Sequence, residues 1–151
     1  AAVCAGKTFH VPDDTIKKAL EEYTPSNSRS QLLEKDGNKI ILDAYNANPS
    51  SMKLAIENFA KMEGEKVLIL GSMMELGEAS DAEHEMIVNL VKEHTWKAVT
   101  FTGQGYKNLP SAFLYFNNAA ETADWYKKQS FKNVTVLIKG SRSMQMEKVV
   151  E

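Results

Sequence analysis

From residue 40 onward the chain alternates short apolar runs with segments of helical period, and that rhythm constrains its fold more than any other feature. Val67, Leu68, Ile69 and Leu70 form a continuous apolar run between Gly64 and Gly71, as a strand reads when both of its faces are covered. Residues 134–138 read the same way, and 98–102 and 113–116 read as shorter strands. Between them lie periodic segments. Met52, Ala55, Ile56 and Phe59 share one helical face over 50–62; Ile87, Leu90 and Val91 do so over 80–94; 119–129 and 143–150 complete the set. Ser80 with Glu83 three residues later has the form of a capping box. Strand, helix, strand in succession requires right-handed crossovers and a parallel sheet.

The sheet is expected to begin differently. Lys35-Asp36-Gly37-Asn38 separates two extended segments, 31–34 and 39–43, and an Asp-Gly pair in that setting favours a tight antiparallel hairpin. The expectation is therefore an α/β sheet of about six strands, mostly parallel, with one antiparallel strand from an N-terminal hairpin and helices on both faces. Ahead of the hairpin, residues 1–10 read as the tail of a helix. A second helix starts at Pro12-Asp13-Asp14, with Asp13 or Asp14 as its cap and Pro25 stopping it. Ser26-Asn27-Ser28 is the candidate domain boundary, dividing residues 1–25 from 26–151.

Composition narrows the function classes. A net charge of −2 with scattered cations argues against a nucleic-acid groove or a membrane-surface patch. One cysteine, Cys4, excludes an internal disulfide and suits the reducing cytoplasm; it is expected to be buried in its helix. No apolar run reaches membrane-spanning length. The chain opens without Met and in what reads as mid-helix, so a longer parent protein is expected.

Polar residues collect where they have no use in a core. Four polar loops, 43–48, 71–77, 102–105 and 139–143, follow predicted parallel strands, so all four are expected on one sheet edge, where such sheets bind ligands. The first holds Asp43, Tyr45, Asn46 and Asn48 within six positions. In the last, Lys139, Ser141 and Arg142 surround Gly140 at an expected helix N-terminus. That is either an anion site, the glycine admitting a close backbone approach, or a capped surface turn with solvated cations. Glu75, between Gly71 and Gly77, belongs either to a mobile lid or to an ordinary connection. Arg29 flanks the same hairpin as Asp43 and is positioned to approach the same ligand. Other resemblances to chemistry carry little. Ala5-Gly6-Lys7-Thr8 ends like a phosphate-binding loop but lacks its first glycine and a preceding strand. His10, His84 and His94 have no metal-ligand spacing, and His84 is expected on a helix surface or in packing.

Asn27-Ser28-Arg29-Ser30-Gln31, Asp43-Ala44-Tyr45-Asn46-Ala47-Asn48-Pro49, the 71–77 loop and Lys139-Gly140-Ser141-Arg142 occur here in one order. In this the chain resembles the C-terminal domain of the UDP-N-acetylmuramoyl-tripeptide–D-alanyl-D-alanine ligases, the MurF type of Mur ligase, over residues 23–150. The resemblance implies a Rossmann-like domain of a three-domain cytoplasmic enzyme of peptidoglycan synthesis. That enzyme uses ATP and magnesium to join D-alanyl-D-alanine to a UDP-muramoyl-tripeptide through an acyl phosphate. Residues 1–25 then correspond to the last helices of the central ATPase domain, on which this domain closes and which holds most magnesium ligands. The implied nucleotide contacts are Arg29, Asp43 and Asn46. Asn48 faces the reacting phosphate; on charge rather than on the family's motif, Lys139, Ser141 and Arg142 are candidates for the dipeptide carboxylate. Sister ligases carry Asp directly before the Tyr position, where Ala44 stands here, and many relatives carry Asp where this chain has Ser72. One wall of a site cannot perform the reaction, so no catalytic residue and no metal ligand is expected in this chain alone. The rival expectation is a free-standing, flavodoxin-like module that binds an anionic small molecule on the same edge.

Overall fold

A computed structural model describes residues 1–23, 28–108 and 112–151. Its strands are β1 (Gln31–Lys35), β2 (Asn38–Asp43), β3 (Lys66–Gly71), β4 (Ala98–Thr102), β5 (Leu114–Phe116) and β6 (Thr135–Lys139). They form one sheet in the order β1-β2-β6-β3-β4-β5. Among the described residues only the β1–β2 pair is antiparallel. Its two-residue turn has Asp36 at φ 53° and Gly37 at φ 78°, the doubly left-handed geometry that matches strand twist and that Asp-Gly accommodates.

Among the described residues five α-helices accompany the sheet: α1 (Ala2–Thr8), α2 (Asp13–Glu21), α3 (Pro49–Ala60), α4 (Ser80–Lys92) and α5 (Ala119–Gln129). The continuous apolar run of β3 is explained by burial on two sides. Leu68 and Leu70 pack with Met52, Ile56, Phe59, Ile87 and Val91 of α3 and α4. Val67 and Ile69 face the opposite layer, with Ala119 of α5, Met146 and Val149. Each face removes large aliphatic side chains from water at about 1.5–3 kcal/mol apiece.

Four local expectations are corrected. α2 begins after Pro12 with no side-chain cap: Asp13 is already helical, so its carboxylate cannot reach forward as a cap does, and it pairs with Lys7 at 3.5 Å. Ser80 does not cap α4 either. A 3-10 turn at Gly77–Ala79 leads in, making Ser80 the first helical residue. Cys4 is exposed, because α1 buries none of its residues. The expected last helix is two 3-10 turns, Arg142–Met144 and Met146–Val149, separated by Gln145 at φ 50°. That left-handed residue turns the chain so that Met146 becomes fully buried. Pro25 and most of the candidate boundary lie outside the described residues; Ser28 is buried.

Candidate functional site

Strand register brings the polar loops to one rim. Asp43 of β2 stands opposite Lys139 of β6, Lys139 opposite Leu70 of β3, and Gly71 opposite Thr102 of β4. All these strands run the same way, so the loops after them share an edge. Backbone bonds tie the rim together: Ser141 N–H donates to the Ser72 carbonyl (3.2 Å) and Ser72 N–H to that of Thr102 (2.9 Å).

At the β2 end a charged cluster forms. Lys139 is 2% exposed, and its ammonium lies 2.5 Å from Asp43 Oδ2 and 3.2 Å from the Asn46 carbonyl. Ser30 N–H donates to the other Asp43 oxygen at 3.2 Å. Tyr45 N–H donates to the Ser28 carbonyl at 3.1 Å. Arg29 Cζ sits 3.7 Å from the centre of the Tyr45 ring, a cation–π arrangement. The structure therefore brings Asp43, Asn46 and Lys139 together, with Arg29 beside them on the Tyr45 ring; Lys139 thus pairs with Asp43, away from the Ser141 and Arg142 with which the sequence grouped it. Tyr45 is the residue that sequence reasoning left without a partner. Its signal was an exposed-type aromatic beside three polar residues.

The remaining site residues have local partners. Asn48 is the N-cap of α3: its side-chain oxygen accepts from Ser51 N–H at 2.8 Å, and Ser51 Oγ accepts from Asn48 N–H at 3.2 Å. Asn46 Oδ1 accepts from Ala47 N–H at 2.9 Å. Ser141 is buried, and its hydroxyl accepts from Met74 N–H at 3.0 Å. Arg142 reaches outward to Glu147 at 3.2 Å. Gly140 is needed for a reason other than an approaching ligand: a Cβ on it would lie 2.8 Å from Met146 Cγ and 3.0 Å from the Gly71 α-carbon. With only a three-residue 3-10 turn after it, this loop presents no α-helix N-terminus.

Toward β4 the rim opens into a cavity of about 490 Å³ walled by Met73, Met74, Leu76, Gly103, Gln104 and Met144. Glu75 enters this wall with a left-handed backbone, φ 63°. Ser72 is buried, its hydroxyl donating to the Thr102 carbonyl (3.2 Å) and accepting from Gly105 N–H (3.1 Å). Beneath this wall lies His84, fully buried. Helical period carried its signal, since 84, 87, 88 and 91 form one face. Burial lowers its pKa, opposed by the Ser80 carbonyl and by Asp81 and Glu83. Among the described residues no group of three or more His, Cys, Asp or Glu side chains could hold a metal ion. Among them, too, no helix is long and apolar enough to cross a membrane.

Comparison with known proteins gives the chain's family and the relatives of its fold. The family described as "Mur ligase, glutamate ligase domain" matches residues 28–142. The UDP-N-acetylmuramoyl-tripeptide–D-alanyl-D-alanine ligase of Buchnera aphidicola (subsp. Acyrthosiphon pisum) is 35% identical over the whole chain, which covers 34% of that protein. The ligase of the same name from Bacillus subtilis is 31% identical, again over the whole chain and 36% of the relative. Among solved structures, the MurF ligase of Thermotoga maritima in complex with ADP superposes with a TM-score of 0.81 at 25% identity, covering 98% of this chain and 35% of that one. The chain thus spans about a third of the length of the curated relatives it matches.

Proposed function

The chain belongs to the Mur ligase family, through its glutamate ligase domain, and from that premise we propose that it is the C-terminal domain of a MurF-type ligase. In this reading the parent enzyme, in the cytoplasm, uses ATP to activate the carboxylate of UDP-N-acetylmuramoyl-tripeptide. It then joins D-alanyl-D-alanine to it for peptidoglycan synthesis. The observation that carries the proposal is the cluster of Arg29, Tyr45, Asp43 and Lys139 on the rim in a chain whose relatives bear that name from end to end.

The chemistry assigns each group a task. Arg29, held flat on Tyr45, presents a planar cation toward phosphate. Asp43, oriented by Lys139 on one oxygen and Ser30 N–H on the other, offers a remaining lone pair to a ribose hydroxyl, and Asn46 contributes a nearby contact. Lys139 acts through Asp43, and the dipeptide is met by the rim cavity, with Ser141 holding Met74 of its wall and the exposed Arg142 free to leave Glu147 for the dipeptide carboxylate. Asn48 sets the start of α3 and with it the loop facing the reacting phosphate. Phosphoryl transfer of this kind depends on positioning and charge neutralisation. Magnesium, when bound, neutralises phosphate charge, and its protein ligands belong to the preceding domain.

Residues 1–25 are read as the end of that central domain. Phe9 is 80% exposed and Tyr23 68%, and α1 and α2 frame an apolar groove with Val11, Ile16 and Ala19 in its walls. A free-standing module would leave that face in water. The test is calorimetric titration of ATP·Mg and D-alanyl-D-alanine into this chain and into the longer protein, with a ligation assay on the latter. We expect ligation and tight nucleotide binding by the longer protein, and weak binding without turnover by this chain. Tight nucleotide binding by this chain alone overturns the shared-site reading.

A further inference from the structure

We propose that His84 is a positioning residue that holds the 73–77 loop against the 103–106 turn, and so sets the shape of the rim cavity. Three contacts carry this. Met73 N–H donates to His84 Nε2 at 3.0 Å. The opposite ring nitrogen, Nδ1, lies 2.7 Å from the Ser80 carbonyl. The ring also fills the space over Gly105, where an added Cβ would overlap it, and it meets the Tyr106 ring edge-on with centroids 4.6 Å apart.

These contacts dictate one chemical form. A nitrogen that accepts from an amide carries no proton, so Nδ1 must carry it and donate to the Ser80 carbonyl. Only the neutral Nδ1–H tautomer satisfies both bonds. The imidazolium would set an N–H against the Met73 N–H. The charged groups acting on the ring are Asp81 and Glu83 of its own helix; from the β4 side it meets the phenol-bearing ring of Tyr106, whose ionisation burial suppresses. An aliphatic side chain would fill the volume equally well and is what α4 uses at 87, 88 and 91. The histidine differs in one respect: it satisfies a backbone donor at the rim that is otherwise buried without an acceptor. With both nitrogens occupied and no exposure, it does no chemistry on a substrate itself. It acts through Met73, Met74 and Leu76, which wall the cavity.

The structural half of the inference is independent of the ligase reading; its consequence for dipeptide binding rests on that reading. The experiment pairs His84→Leu with His84→Gln, whose side-chain oxygen lies as many bonds from Cβ as Nε2 does. In this chain, NMR is expected to show Nε2 unprotonated at neutral pH and the Met73 amide resonance moving with the ring's titration on acidification. His84→Gln abolishes that pH response. His84→Leu lowers hydrogen-exchange protection at 73–77 by about tenfold, leaving 87–91 unchanged, and His84→Gln restores it. In the longer protein, His84→Leu raises KM for D-alanyl-D-alanine about tenfold with kcat within about threefold, and His84→Gln recovers it. A protonated Nε2, a Met73 amide indifferent to the ring's titration, or equal losses in both variants overturns the inference. An inactive wild-type longer protein overturns the ligase reading instead, while the NMR result still decides the role of His84.

Discussion

Asp43 and Lys139 lie 96 residues apart in sequence yet face each other across two parallel strands, with the ammonium 2.5 Å from the carboxylate. The lysine side chain is 3% exposed and the aspartate 23%, so the pair is unequal. Removing the carboxylate strands a buried cation, whereas removing the lysine leaves an anion that water reaches. Asp43→Ala is therefore expected to cost about 3 kcal/mol of folding stability and Lys139→Met less than about 1, measured by urea denaturation. The double variant should recover most of the loss. Equal costs for the two single changes would show that burial does not govern this pair.

Arg29 touches the fold through the Tyr45 ring. Arg29→Ala should lower stability by no more than about 1 kcal/mol, while nucleotide affinity of the longer protein falls about tenfold or more. Arg29→Lys should not restore that affinity, since an ammonium offers neither the planar fork nor the stacked face. Calorimetry on both variants checks this.

Asn48 supplies one half of a reciprocal cap on α3. Asn48→Ala is expected to lower stability by about 1 kcal/mol, and Asn48→Asp to keep it, because a carboxylate accepts from the Ser51 amide equally well. If the side-chain amide also meets the phosphate region, Asn48→Asp will fold normally and still lose nucleotide affinity. Thermal denaturation together with titration separates the two roles.

Gly140 and Gly71 meet backbone to backbone under Met146. Gly140→Ala should destabilise by about 1–3 kcal/mol, since the atoms in the way include an α-carbon that cannot rotate aside. A change within a few tenths in chemical denaturation would mean that the rim yields more easily than its packing indicates.

His84 gives the fold an acid dependence of known sign. Burial lowers its pKa from 6.5, so the unfolded chain binds this proton more readily than the folded one. Its contribution is fully present above about pH 6.5 and is lost as pH falls through the lowered folded value. Urea midpoints of the wild type should drop more steeply than those of His84→Gln as pH is lowered from 7 to about 5. Parallel curves would mean that the ring does not titrate differently on folding.

Most of the architecture was legible because its signals are local. Val67 to Leu70 and the Asp36-Gly37 turn each declare their conformation within a few residues, by period and by tolerance of positive φ. α5 keeps its expected bounds of 119–129, and in the structure Asn118 caps it. The rim was also legible, as polar loops after parallel strands must share an edge. The differences lie mostly at ends: Ser80 and Asp13 or Asp14 suit caps by spacing alone and 143–150 suits a helix, while Cys4 is exposed because α1 buries none of its residues. A cap depends on where the previous segment stops, and Gln145 turns left-handed to bring Met146 into a core that no local pattern describes.

Amino-acid order alone therefore determined the strands, most helices, the antiparallel hairpin and which loops carry the polar groups. Tertiary structure decided the partners: Lys139 with Asp43, Arg29 with Tyr45, Ser141 with Met74, and His84 with Met73. The reason is strand order. Placing β6 between β2 and β3 sets the loop after residue 139 between those after 43 and 71, and that adjacency comes from packing across the whole sheet.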